Sequence, residues 1–420
     1  MINRDEALRR DAADTLAPLR DQFALPEGVI YLDGNSLGPL PRATPDRLAA
    51  VIRGEWGKDL IGSWNSAGWI DLPADVGDQI APLVGAGAGE LIAADSTSVN
   101  LFKVLAAALR IVAEDEPGRV EIVSERDNFP TDLYIVQGLS DLLGGRYTLR
   151  LVDSADEIPA ALGANTALLL LTHVNYRSGA MHDMATLSAA AHEAGALTIW
   201  DLAHSAGAVP VALNDDGADF AIGCGYKYLN GGPGAPAFLW VAPRHVGRFR
   251  QPLSGWMGHA RPFDFVPDYE PGEGVSRYLC GTPAILAMSA LECGVETLLA
   301  AEPYGGMAAL RAKSQALTDF FIECVEARCA GKGLQLVTPR DPARRGSQVS
   351  FAFDDAWPLC QALIARGVIG DFRAPDILRF GFAPLYIRFV DVWDAAEVLG
   401  TVLDTGEWLE ARFVERNAVT

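Results

Sequence analysis

Apolar positions along the chain fall into two rhythms. Val76, Ile80, Leu83 and Val84 recur at helical spacing, and Leu91-Ile92-Ala93 then runs unbroken as a short strand. Asp95-Ser-Thr-Ser98 supplies cap chemistry for a helix with Leu101, Val104 or Leu105, Ala108 and Val112 on one face. Continuous apolar runs follow at 120–123, 167–172, 197–200, 220–222 and 237–241, with helical segments between most of them. Unbroken apolar strands alternating with helices predict an α/β fold, a mostly parallel sheet with helices on both faces. Ligands of such sheets sit at the carboxyl ends of the strands. Past Gly281-Thr-Pro283 the rhythm changes. Long helices are expected at 284–299 and 311–327, then a strand and helix mixture at 348–353, 357–366, 377–382 and 392–403. This tail reads as a smaller α+β C-terminal domain. The expected division is a large domain over 66–285, a small domain over 286–420, and an N-terminal segment, 1–65, packed on the small domain.

Composition narrows the chemistry. The chain has 420 residues, half of them hydrophobic, and a formal net charge of −20. An acidic surface of that size repels phosphate backbones, so no nucleic-acid partner is expected. The six cysteines contain no C-x-x-C pair, and the charged N-terminus does not read as a signal peptide. No apolar run is long enough to span a membrane. A cytoplasmic enzyme with reduced thiols is the expectation. Gly85-Ala-Gly-Ala-Gly89 is a helix-to-strand turn and not a dinucleotide loop, because it follows a helix and precedes a strand.

The informative stretch is Trp200-Asp201-Leu-Ala-His204 followed by Gly225-Tyr226-Lys227-Tyr-Leu-Asn-Gly-Gly. A carboxylate at the end of a dry strand needs a cationic partner. A lysine held among glycines at the next strand end can be desolvated toward the neutral amine that forms Schiff bases. A buried Asp201 and a reactive Lys227 are two contributions that pyridoxal phosphate enzymes require of the protein; a structural Asp–Lys ion pair would give the same spacing. The competing lysines are Lys58 in a polar loop, Lys103 inside a helix, Lys313 on a helix surface and Lys332 in a turn. Thr97-Ser98 opens a helix directly after a strand, which suits a phosphate or a plain N-cap. Phe129 can stack on a flat ring or serve as a core aromatic. His204 can face a ring or phosphate, or be satisfied by a backbone carbonyl.

With these residues placed, the chain resembles the kynureninases, which are fold-type-I pyridoxal phosphate enzymes of the class-V aminotransferase group. The likeness rests on Tyr31-Leu-Asp-Gly-Asn-Ser-Leu-Gly38, Ser98-Val-Asn-Leu101, Asn128-Phe-Pro-Thr-Asp132 and Asp201-Leu-Ala-His-Ser205. It continues in Tyr226-Lys-Tyr-Leu-Asn-Gly231, Gly255-Trp-Met-Gly-His259 and Arg379-Phe-Gly-Phe-Ala-Pro-Leu-Tyr386. The resemblance implies that Lys227 binds pyridoxal 5'-phosphate covalently, Asp201 pairs with its ring nitrogen, and Thr97, Ser98 and Tyr226 contact its phosphate. Phe129 would stack on the ring, with Asp132, Thr172 and His204 lining it. Trp256 and Thr282 match positions that reach the phosphate from the other subunit of a homodimer. Arg379, with Arg373 as the alternative, matches the residue that holds the substrate α-carboxylate. Strand alternation places Ile377, Arg379 and Gly381 on one face, which predicts room beside Gly381 and a two-bond guanidinium fork. Thr282 and Trp64 stand where relatives differ, so both bear on the choice between kynurenine and 3-hydroxykynurenine. The implied reaction is hydrolysis of the Cβ–Cγ bond of L-kynurenine to anthranilate and L-alanine, within tryptophan catabolism and with Tyr226 as proton source. A cysteine desulfurase is the rival, but Cys324 and Cys329 fall in an expected helix and not on a mobile loop.

Overall fold

The computed structural model describes residues 3–248 and 251–416. A short parallel pair joins β1 (Ile30–Tyr31) to a strand near the C-terminus. The large sheet contains β2 (Leu91–Ala94), β3 (Glu121–Glu125), β4 (Thr148–Val152), β5 (Thr166–Thr172), β6 (Leu197–Asp201), β7 (Phe220–Gly223) and β8 (Ala237–Val241). Its order is β2-β8-β7-β6-β5-β3-β4, parallel except that β8 runs against both neighbours. The smaller sheet is antiparallel and contains β9 (Gln335–Leu336), β10 (Gln348–Ala352), β12 (Asp371–Arg373) and β13 (Ile377–Gly381); β11 (Val368–Ile369) is the partner of β1.

The expected strands form where the apolar runs lie, because β5, β7 and β8 are buried along their whole length and β6 at every position but Leu197. β4 escaped the pattern. It is the edge strand, Thr-Leu-Arg-Leu-Val, with exposed and half-buried positions and no continuous apolar run. The reversal of β8 has a local cause. No crossover helix separates it from β7, and a short connection returns a chain antiparallel. That connection carries Tyr226 and Lys227. Since β8 reverses twice, β2 ends on the same edge as β3, β5, β6 and β7, so all five deliver their carboxyl ends to one side.

Helix Thr97–Asp115 covers one face of the sheet, burying Leu101, Val104, Leu105, Ala108 and Val112 as the periodicity required. The other face buries Trp200 and Trp240. The N-terminal helix Arg4–Ala12 docks on helix Phe389–Thr405, where the Asp11 carboxylate accepts from the Phe389 and Val390 N–H groups at 2.6 and 3.0 Å. Lys313 departs from its expected surface position. It is buried and paired with Asp14 at 2.7 Å, because the N-terminal segment covers that helix face. No helix among the described residues is long and apolar enough to cross a membrane.

Candidate active site

Lys227 and Asp201 are brought to the same edge by adjacent strands, but they do not form the ion pair that their spacing alone allowed. The Lys227 Nζ lies 2.9 Å from His204 Nε2. Asp201, fully buried, accepts from the Ala203 N–H at 2.7 Å through Oδ1. Burial pushes its carboxyl above the ordinary range, and the charge of Lys227 works against that rise. Asp132 is buried beside them. Desolvation and the Asp201 charge push it well up, with Lys227 opposing. His204 is held well below its ordinary value by burial and then by Lys227, Arg379 and Arg373, so its imidazole is neutral. Burial likewise raises the Tyr226 phenol, with Cys224 and Asp201 adding to it.

Several polar atoms here have no protein partner. Asp132 Oδ2, Thr172 Oγ1, His204 Nδ1 and Ser205 Oγ are all buried and unsatisfied. A cluster of this kind at a strand-end site is costly unless a ligand completes it. A cleft of about 750 Å³ has Ser36, Thr97, Ser98, Phe129, Cys224, Tyr226 and Thr282 on its walls, while Lys227, Asp201, Asp132, Thr172 and His204 are not among its wall residues. Thr97 and Ser98 begin the 19-residue helix, capped by Ser96, so free N–H groups and the positive helix end face an anion here. Phe129 is half exposed and meets Tyr176 edge-on at 5.3 Å. These residues fit a flat, phosphate-bearing aldehyde, with a lysine amine below and a buried carboxylate for a ring nitrogen.

Two expected residues lie elsewhere. Trp256 sits on the turn Trp256–Gly258, 36% exposed and edge-on to Phe263 at 5.7 Å, outside the cleft of its own chain. Trp64 packs edge-on against Trp69 at 6.2 Å and is also off the cleft wall.

The arginine site departs further from its expected form. Arg379 is 1% exposed, and Nε donates to Asp371 Oδ1 at 2.8 Å while Nη2 donates to Asp371 Oδ2. Nη2 also donates to Ser36 Oγ at 2.8 Å, and Nη1 to the Tyr176 carbonyl at 2.6 Å. The fork is engaged by the protein itself. The space beside Gly381 is likewise filled, since a Cβ there would stand 2.0 Å from Asn35 Oδ1. The glycine-rich loop 33–38 is the reason. It is wedged between β13 and the lysine loop, and Gly38 comes so close to Lys227 that a Cβ would meet its carbonyl oxygen at 2.5 Å. Sequence reading flagged this loop as a motif but missed Ser36, Asp371 and Tyr176 as arginine partners. Only the cross-strand pairing of Asp371 with Arg379 joins them.

The cysteines of the desulfurase rival are buried. Cys324 lies within helix Gly306–Arg328 and Cys329 caps its end, and desolvation raises both thiols.

Comparison with known proteins bears on the family and the fold. Residues 310–399 match the family model of the kynureninase C-terminal domain. Kynureninases of Pseudomonas fluorescens and of Burkholderia pseudomallei (strain 1106a) are each 58% identical over 420 residues, covering 100% of both chains. Among solved structures, a cysteine desulfurase from Thermococcus onnurineus NA1 superimposes with a TM-score of 0.77 at 20% identity, over 92% of this chain and 98% of that one. A C-DES mutant with glycine covalently linked to its PLP cofactor gives 0.77 at 17% identity, over 90% and 98%. The solved structures share the fold; the full-length identity decides the family, and this chain belongs to the kynureninases.

Proposed function

We propose that this enzyme hydrolyses the Cβ–Cγ bond of L-kynurenine, and of 3-hydroxykynurenine as a second substrate, to an anthranilate and L-alanine. Water supplies the oxygen that turns the γ-carbonyl carbon into the anthranilate carboxyl, and Cβ takes up a proton to become the alanine methyl. The observation that carries the reading is the Lys227 amine beside a neutral His204, above buried Asp201 and the unsatisfied Asp132, Thr172 and Ser205.

Bound there, pyridoxal 5'-phosphate supplies an electron-withdrawing protonated ring that accepts the electrons released at Cα and then at the broken carbon–carbon bond. Lys227 would hold the cofactor aldehyde through Nζ, and the same amine is the group that would take the Cα proton. Asp201 would keep a proton on the ring nitrogen by offering it a buried carboxylate in a dry site. Thr97 and Ser98 would hold the phosphate at the helix end, and Phe129 would cover the ring. Tyr226 stays protonated and returns a proton to carbon.

The working unit of this reading is a homodimer. Ile52, Trp56, Leu60 and Ile61 are exposed within one short segment, as are Trp256, Phe263 and Phe265 in another, and clustered exposed apolar side chains mark an interaction surface. Trp256 would then act at the partner's phosphate site, whereas Thr282, expected there too, lies on the cleft wall of its own chain. The division into a cofactor-binding domain over 66–285 and a small domain over 286–420 belongs to the same reading. Incubation with L-kynurenine tests it: anthranilate fluorescence should rise in equal amount with L-alanine, and no anthranilate from the cofactor-loaded protein would overturn it.

A further inference from the structure

Lys103 is the one lysine of helix Thr97–Asp115, and its side chain is completely buried. Val275, Tyr278 and Leu279 share an apolar cluster with Leu101 and Val104 of the same helix. An ammonium in such surroundings is kept only where it is paired. Nζ donates to Asp95 Oδ2 and, at 2.6 Å, to the Tyr278 carbonyl. Both partners border the cleft. Asp95 lies on its wall two residues before Thr97, and Tyr278 precedes the wall segment 279–284. Asp95 stands at a backbone φ of +46°, in the left-handed region, and its turn is fixed on either side. The Asp95 carbonyl accepts from the Ala237 N–H at 2.9 Å, and the buried Asn100 amide donates to the Ala94 carbonyl at 2.7 Å. Asp95 is the one charged side chain among the described residues that line the cleft, and 32% of it is exposed.

We propose that Lys103 is a positioning residue of the cofactor phosphate site: it neutralises Asp95 and locks the turn that opens the helix, so that only N–H groups and hydroxyls meet the phosphate. The proposal rests on the reading that Thr97 and Ser98 hold that phosphate. Charge carries it. The opening of a helix offers an anion roughly half a positive charge. A phosphate monoester brings about −1.5 to −2 near pH 7. An unpaired carboxylate two residues before Thr97 would cancel that attraction. A hydrogen-bonded ammonium with no exposure is screened little by salt, so it removes the repulsion more completely than a surface lysine would. An ion pair that served only to fasten segment 274–279 to the helix could use any carboxylate. This one uses the carboxylate on the cleft wall.

Pyridoxal and pyridoxal 5'-phosphate share the ring and the aldehyde, so the ratio of their affinities isolates the phosphate. Titration of the cofactor-free full chain, followed by visible absorption and fluorescence quenching, measures both. Lys103→Met should lower the preference for the phosphate ester by roughly tenfold. Combining Lys103→Met with Asp95→Asn removes the stranded carboxylate and should restore most of that preference. A fastening role alone would weaken both compounds alike and leave the ratio intact, which overturns the proposal. A loss that the double variant does not recover overturns it as well. Should Lys103→Met fail to fold, Asp95→Asn alone leaves the ammonium uncompensated and should raise the ratio severalfold; an unchanged or lower ratio there also overturns the proposal. Thr97→Val with Ser98→Ala tests the underlying reading separately. If that variant keeps the full preference, the phosphate lies elsewhere and the reading falls together with the proposal. If it loses the preference while the Lys103 and Asp95 variants keep theirs unchanged, only the proposal falls.

Discussion

Two buried aspartates stand at opposite ends of neighbouring strands. Asp201 closes β6 at the carboxyl edge of the sheet, and Asp219 precedes β7 at the other edge. Both are almost fully buried. Asp219 is saturated. It accepts from the Thr198 N–H at 2.8 Å and the Thr198 hydroxyl at 3.2 Å, and it lies 2.8 Å from His192 Nε2, 2.7 Å from His245 Nε2 and 2.7 Å from Arg244 Nη2. Burial would raise its carboxyl, but the His192, His245 and Thr198 hydrogen bonds and the Arg244 charge together hold it well below the ordinary range. Asp201 accepts one backbone hydrogen bond and is pushed up by burial. A carboxylate fully served by the protein stabilises the fold; one left short of partners in a dry site is held for a ligand.

The largest expected effect lies on the Asp201 side. Lys227→Ala should abolish kynurenine cleavage and the visible absorption of the loaded protein, with the melting temperature of the cofactor-free chain little changed. Survival of that absorption band would move the covalent link to another lysine. Asp201→Asn comes next. A neutral amide cannot hold the ring-nitrogen proton, so turnover should fall by about 10²–10³. The Tm of the cofactor-free chain should not fall, because the fold gives up a poorly served charge. Near-native turnover would end the role assigned to Asp201.

Asp219→Asn should do the reverse: turnover per folded molecule unchanged, stability lower by about 2 kcal/mol or more. The loss stays under the ~3–5 kcal/mol of a fully buried pair, since the Arg244 and His192 side chains retain 46% and 38% exposure. An unchanged urea midpoint would remove the distinction between the two aspartates. The smallest effects are pH-dependent and opposite in sign. Asp219 is depressed in the fold, so its stabilisation is present above the ordinary carboxylate value of about 4 and is lost as pH falls below it. Asp33 is raised to about 8 by burial and by facing Asp371, with Arg379 and Ser36 opposing. Its contribution is therefore complete below about pH 4 and is lost as pH rises toward 8. Melting curves of Asp33→Asn should be flatter between those values than those of the parent, and Asp219→Asn should flatten the acid side instead.

The hydrophobic rhythm alone determined the strands from β5 to β8, the helix over 97–115 and the meeting of Asp201 and Lys227 at one sheet edge. Those follow from local burial period and from the rule that parallel strands present their carboxyl ends together. Tertiary structure decided what periodicity cannot carry. It reversed β8, added an edge strand whose half-exposed pattern resembles a loop, and buried Lys313 under a segment from the other end of the chain. It also set Lys227 against His204, where the spacing had left a plain Asp201–Lys227 ion pair open as the alternative, and it spent the fork of Arg379 on Asp371, Ser36 and Tyr176. Each of these depends on groups distant in sequence, and a long-range partner leaves no trace in the spacing around a single residue. Side-chain chemistry was legible wherever one strand and its next turn supplied it; where three segments converge on one guanidinium, only the folded chain assigns the partners.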